Sequence, residues 1–403
     1  MRVHILRALS ILLLVLAVVW FFMDPGPEPV ITALLGLAGV LSAGFAEGGR
    51  ERALAPRGSA KPVGVPDPGP PPPRKSILVL PFDNLSTDPQ DAYLADGLTD
   101  EIITDLSYVH SVRVISRRSA MALKGTQKNL RTLGIELGVQ YVLEGSVEKA
   151  KDDLRITAQL TDAGLDQCLW AERYDGYVAD VFDLQEQVSR SVVDALKVRL
   201  RPEEEQRVST HLIRDTRAYE CYLRAMHEMW RWTEDALDRA ERHLRQGLDI
   251  IGENPLILAG LGELYATYFR AGFRMDPETL DAAEHNASTA LRLSPDCIEA
   301  QRLMGELQVL RGDALDAVTR LTRVLEVDPN DAQAMWYLVY LHGRLGDIGH
   351  ARPLAFAALE VDPLTPRNHW LPAWVHWMDG RFDEALDLIR KFYEMQPDSD
   401  FAR

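Results

Sequence analysis

The chain has 403 residues, too many for one ordinary domain, and its 46% hydrophobic and 26% charged residues make it globular rather than disordered. A formal net charge of −16 repels phosphate backbones. Without a local basic patch, nucleic acid is discounted as a partner, and a protein or small molecule is expected instead. Cys168, Cys221 and Cys297 are odd in number, widely spaced and without CxxC or Cys/His ligand spacing, so they read as packing residues rather than a disulfide framework or zinc site.

From Ile5 to Met23 the chain is almost uninterrupted Leu, Ile, Val, Ala, Trp and Phe, the length that crosses a hydrocarbon core as a helix. A second apolar run, Val30 to Ala46, follows the turn-forming stretch Asp24 to Pro29, and its Gly36, Gly39, Ala43 and Gly44 suit close helix approach in lipid. Residues 1–47 therefore predict a transmembrane helical hairpin. Arg2 and Arg7 precede it, and Arg50, Arg52, Arg57 and Lys61 follow it, which places both ends in the cytoplasm. The competing reading is a single anchor, or an export signal ending near Ala46, that would put the body outside the cytoplasm. Against a cleaved signal, the first run ends in Trp20, Phe21, Phe22 and Met23, which lack the small residues of a cleavage site.

Residues 48–74 are rich in Pro, Gly, Ala and Arg and end in a polyproline tract, so they read as a semi-rigid spacer. From Ser76 strands alternate with helices. Ile77–Leu80 and Val112–Ser116 read as strands, and Leu94–Leu106 and Leu130–Leu137 as helices. Tyr141–Glu148 and Leu154–Leu160 form a predicted hairpin around Lys151, Asp152 and Asp153, followed by a strand over Cys168–Tyr174. Val181–Leu200 closes the unit as an amphipathic helix.

The blocks Ser76 to Ser107, Tyr141 to Ala163 and Leu169 to Gly176 resemble the TolB-like amino-terminal domain of bacterial signalling proteins, over residues 75–202. That resemblance implies a mixed sheet packed by helices with no known chemistry. It also implies a neighbouring tetratricopeptide array, often with a nucleotide-cyclase or winged-helix output domain in the position that the apolar hairpin takes here. Gly164 to Cys168 departs from the family's tighter glycine turn. With the resemblance, the hairpin reads as an anchor in a bacterial inner membrane with a cytoplasmic body, and a periplasmic body is the alternative.

Residues 210–403 read as helical throughout, with a fixed period. Pro295, Pro329, Pro363 and Pro397 are 34 residues apart, as are Ala283, Ala317, Ala351 and Ala385, and Gly312, Gly346 and Gly380. Such columns let the two helices of a unit touch at Ala, turn at Gly and stop at Pro. This is the tetratricopeptide (TPR) pattern, with units at about 217–254, 255–297, 298–331, 332–365 and 366–403 and a short insertion near residues 273–278. The predicted fold class is therefore multi-domain: N-terminal transmembrane helices, an α/β domain with a mixed sheet and a C-terminal all-α solenoid.

If the register follows the family's, the first helix of each unit aims four positions into a concave groove. These select Glu299, Arg302, Glu306 and Val309, then Gln333, Trp336, Tyr340 and Gly343, then Arg367, Trp370, Trp374 and Trp377. Five large aromatics then share a surface suited to gripping a protein or peptide. The bland alternative is that they complete the core of the last repeat, whose first helix Pro372 should kink; Trp336 and Tyr340 are the stronger groove candidates.

No phosphate loop, dinucleotide fingerprint, HExxH, GxSxG or EF-hand pattern is present. His227, His243, His285, His342, His350, His369 and His376 read as surface or packing residues, and the carboxylate groups Asp100-Glu101 and Glu203-Glu204-Glu205 as helix-terminus and solvated-face charge. The expectation is a membrane-anchored, non-enzymatic adaptor with no cofactor and no metal, with self-association left open. The alternatives are the regulatory remnant of a cyclase or transcription-regulator type protein, and a periplasmic envelope protein.

Overall fold

The structure is a computed structural model that describes residues 75–208 and 212–395. The predicted hairpin of residues 1–47 and the spacer lie outside the described residues. No helix among the described residues is long and apolar enough to cross a membrane.

The α/β domain is built on β1 (Lys75–Val79), a short β2 (Asp83–Asn84), β3 (Val112–Val114), β4 (Tyr141–Ala150), β5 (Asp153–Asp162) and β6 (Gln167–Tyr177). Their order is β3-β1-β4-β5-β6, with β2 also pairing β4. β1 runs parallel to β3 and β4, and Ile77, Leu78 and Val79 are fully enclosed, as befits a strand covered on both faces. β4, β5 and β6 form antiparallel pairs. The β4–β5 connection is tighter than three residues, because Lys151 takes a left-handed conformation (φ 59°) and Asp153 already pairs with Ala150. Glu172, Arg173 and Asp175 line the edge strand β6, where charge discourages pairing with another chain.

Helices α1 (Ala92–Ser107) and α4 (Val181–Ala195) pack together and against the sheet. Helix α4 ends at Ala195, short of the predicted Leu200, because Lys197 turns left-handed (φ 52°). α3 (Leu130–Leu137) packs on β4 and stops at Gly138 as expected. Two further helices were not anticipated: α2 (Arg117–Met121) and α5 (Pro202–Val208). In α5, Glu204 is buried rather than solvated and accepts from the backbone N–H groups of His110 and Arg201.

The helical half comprises five antiparallel pairs: α6 (Thr216–Met229) with α7 (Glu234–Ile251), α8 (Pro255–Arg270) with α9 (Pro277–Leu293), α10 (Ile298–Arg311) with α11 (Ala314–Val327), α12 (Ala332–Arg344) with α13 (Ile348–Val361), and α14 (Arg367–Met378) with α15 (Phe382–Met395). The repeat columns do the work assigned to them. Ala283, Ala317 and Ala351 are fully buried between helices, and Gly312, Gly346 and Gly380 turn the chain with positive φ. The insertion is the loop between Arg270 and Pro277. Pro372 sits inside α14, which continues through it.

One apolar core runs without interruption from Ile77 in the sheet to Tyr268 in α8. α1 meets α6 so closely that a Cβ on Gly97 would lie 2.7 Å from the Leu223 side chain. The sheet domain and the array are thus packed as one body.

Candidate protein-binding face and domain seam

The α/β domain docks along the edge of the array formed by the turns between repeats. In the turn after α11, the Asn330 side chain accepts from the Val114 N–H at 3.2 Å and donates to the carbonyls of Ser107 and Val112 at 3.1 and 3.2 Å. One repeat later, buried Asp362 accepts from the hydroxyls of Ser116 and Ser119, both at 2.6 Å, and from Asn368 at 2.8 Å. The Ser116 N–H donates to the Val361 carbonyl at 2.8 Å, and the Leu364 N–H to Ser119 at 2.9 Å. The end of β3 and the start of α2 are therefore fastened to the turns of two successive repeats. Two repeats back, Ser294, Asp296 and Cys297 occupy the matching turn and line the seam again.

At that position lies a cavity of about 390 Å³ lined by Glu101, Asp105, Tyr108 and Phe182 on one side and Cys297 and Glu299 on the other. Burial pushes the Glu101 carboxyl up to about 8, with the charges of Asp105, Asp100 and Glu299 adding to it. Burial likewise raises Asp105 to about 7, although the Ser189 hydroxyl donates to it at 2.7 Å. Cys221 and Cys297 are buried packing residues, whereas Cys168 is exposed on β6.

Arg302 and Glu306 do not stand free in a groove. Glu306 is completely enclosed, accepting from Arg270 at 2.5 Å and from Gln333 at 2.6 Å, and Arg270 also bonds Glu263. Arg302 reaches Gln333 at 3.4 Å and Asp331 at 3.7 Å. These groups form a charge chain across three units. Burial opposes the charge on Glu263, but Arg270 and Arg302 outweigh it and hold its carboxyl below the ordinary range. Asp362, Arg270 and Glu263 are among the charged neighbours of Arg118 in α2. In sequence, a polar residue at a groove position looks the same whether it waits for a partner or is already paired within the chain.

The aromatic candidates gather into two stacks. Trp336 and Tyr340 stack at 5.9 Å and 7°, with Arg367 over Trp336 at 5.3 Å and Arg344 over Tyr340 at 5.6 Å. Trp370 and Trp374 stack at 5.3 Å and 10°. Trp374 lies on Gly343, where any Cβ would strike the indole ring, so glycine is required at that crossing. Trp336, Trp370 and Trp374 are partly buried against the cores of the last two units, and Trp377 is 58% exposed at the end of α14. The structure therefore brings Trp336, Tyr340, Trp370 and Trp374 together, leaves Trp377 exposed near the end of α14, encloses Glu306 and holds half-buried Arg302 in pairs within the chain.

The histidines are less scattered than expected. His227 bonds buried Asp96 across the seam at 2.8 Å, and His342, His350 and Asp347 converge at the turn between α12 and α13.

With this geometry, comparison with known proteins is informative at the level of the repeat. A tetratricopeptide-repeat family profile matches residues 303–357 and 338–400, and the helical half carries TPR repeats. Among solved structures, MamA is 19% identical over 41% of this chain and 91% of its own (TM-score 0.32). YrrB, described as a TPR protein with an unusual peptide-binding site, is 19% identical over 45% and 89% (TM-score 0.32). A thermophilic TPR protein of Thermus thermophilus is 19% identical over 46% and 95% (TM-score 0.36). A protein of Rhizobium meliloti (strain 1021), named as a candidate adenylate cyclase 3, is 44% identical over 179 residues. Those residues are 44% of this chain, which spans only 30% of that relative's length.

Proposed function

We propose that this chain is a non-enzymatic scaffold whose last two repeats hold a protein or peptide partner, with the α/β domain, of TolB-like type, docked on the array as a regulatory element. The observation that carries this reading is the paired aromatic stacks on α12 and α14, which end in exposed Trp377 while the turn edge of the array is covered by the chain's own sheet domain. Stacked Trp and Tyr beside Arg344 and Arg367 offer apolar area and donors together, the combination that concentrates binding energy at interfaces. The apolar segments of residues 1–47 would tether this body to the cytoplasmic face of a bacterial inner membrane, a topology that a C-terminal reporter active on one side only tests.

A second reading rests on the likeness to the Rhizobium protein: the chain supplies a regulatory part to a nucleotide-cyclase output carried on a separate chain. Photo-crosslinking in membranes, with the reactive side chain at position 377 and a control at position 135 on exposed α3, tests the first reading. A discrete adduct from 377 alone supports the aromatic face, and equal adducts, or none at 377, contradict it. A cyclase in that adduct favours the second reading, and turnover of a nucleotide by the purified chain overturns the non-enzymatic one.

A further inference from the structure

We propose that His342, Asp347 and His350 form a binding site for one divalent first-row transition-metal ion of the zinc class. His342 lies in the last turn of α12, Asp347 caps α13 and His350 occupies its first turn. Gly346 (φ 74°) folds the chain between them. The Asp347 Oδ2 atom is 3.3 Å from His342 Nδ1 and 2.7 Å from His350 Nδ1, and one ligand atom from each residue falls within 4.8 Å of the other two. Around a tetrahedral ion with bonds of about 2.1 Å, ligand atoms sit roughly 3.4 Å apart. The His342–Asp347 pair already has that separation, and His350 must withdraw by about 0.7 Å to reach it. Its side chain is 75% exposed and free to do so.

Two imidazoles and one carboxylate are a nitrogen-rich set that suits zinc, nickel or copper and not calcium or magnesium. Helix capping explains Asp347 and the neighbouring His350 N–H, which donates to it at 3.4 Å. It does not explain why His342 stacks on His350 at 5.3 Å and turns the same ring nitrogen to the same carboxylate oxygen. The set is confined to this unit: the positions one repeat earlier are Gln308, Asp313 and Asp316, and one repeat later His376, Arg381 and Glu384. An ion here would pin α12 to α13 two residues beyond Tyr340 and beside Gly343, stiffening the helix that presents the first aromatic stack.

The test uses the untagged full chain, stripped with a chelator and titrated with Zn²⁺ by calorimetry, with Co²⁺ as a visible-absorption probe of the ligand set. The expected result is one Zn²⁺ per chain and a raised melting temperature. His350→Ala should weaken binding by more than about tenfold, and Asp347→Asn, which retains the cap, should also weaken it. Because His350 is exposed, its alanine variant should fold like the parent, which circular dichroism checks. Unchanged Zn²⁺ affinity in folded His350→Ala, or no saturable binding by the parent chain, overturns the site.

Discussion

The turn edge of the array and the face of its last unit are built from the same 34-residue pattern yet meet opposite fates. At the edge, Asn330 and Asp362 are buried, each with three side-chain bonds, and lock β3 and α2 to the repeats. On α14 and α15, Trp377, Phe382, Leu386 and Tyr393 are exposed. A repeat supplies geometry, and what a given surface does depends on whether the chain's own sheet domain covers it. The edge is an internal joint; the aromatic face of the last unit remains exposed, and it is the surface proposed for a partner.

The comparison breaks most visibly at Asp362. Asp362→Ala leaves the hydroxyls of Ser116 and Ser119 and the amide of Asn368 buried without their acceptor, and should cost about 3 kcal/mol in denaturant unfolding. Asn330→Ala removes one acceptor and two donations at the same edge and should cost about 2 kcal/mol by the same measurement. If either variant unfolds like the parent, the edge is not a joint.

A smaller effect follows from the seam cavity. Glu101 and Asp105 are raised above ordinary carboxylate values, so the folded chain keeps protons that the unfolded chain has released. Their contribution therefore makes stability fall as pH rises from about 4.5 to about 8. Glu101→Gln, which mimics the protonated carboxyl, should flatten that decline in melting temperature measured across the range. The smallest stability change is expected at exposed Trp377. Trp377→Ala should shift unfolding by no more than about 0.5 kcal/mol while reducing partner capture, so a large stability loss would assign this tryptophan to the core.

Much of the architecture was legible because it is periodic. The Ala, Gly and Pro columns fixed the helix pairs, and strand-helix alternation fixed most of the sheet. Helix α2 was not legible: Arg117 to Met121 is five residues with no apolar stripe, and the Ser116 cap and contacts from α13 hold it. The seam was invisible for a related reason, since Asn330 and Asp362 sit in turns where Asn and Asp are ordinary residues. Trp336 and Tyr340 stand out in the sequence as aromatics at groove spacing, but only the stacking with Arg367 and the packing of neighbouring cores show how little of Trp336 is free. His342 and His350 read as separate surface or packing residues because their spacings of five and three from Asp347 cross a helix end, so no single helical face contains the three.

The most direct test of the joint between the two domains is native-state hydrogen exchange on the full chain with and without Asp362→Ala. Protection is expected to fall together in β3 and α2, where the Val114 and Ser116 amides bond to Asn330 and Val361, and in α13 and α14. Loss confined to the repeats, with β3 and α2 as protected as before, would contradict the joint.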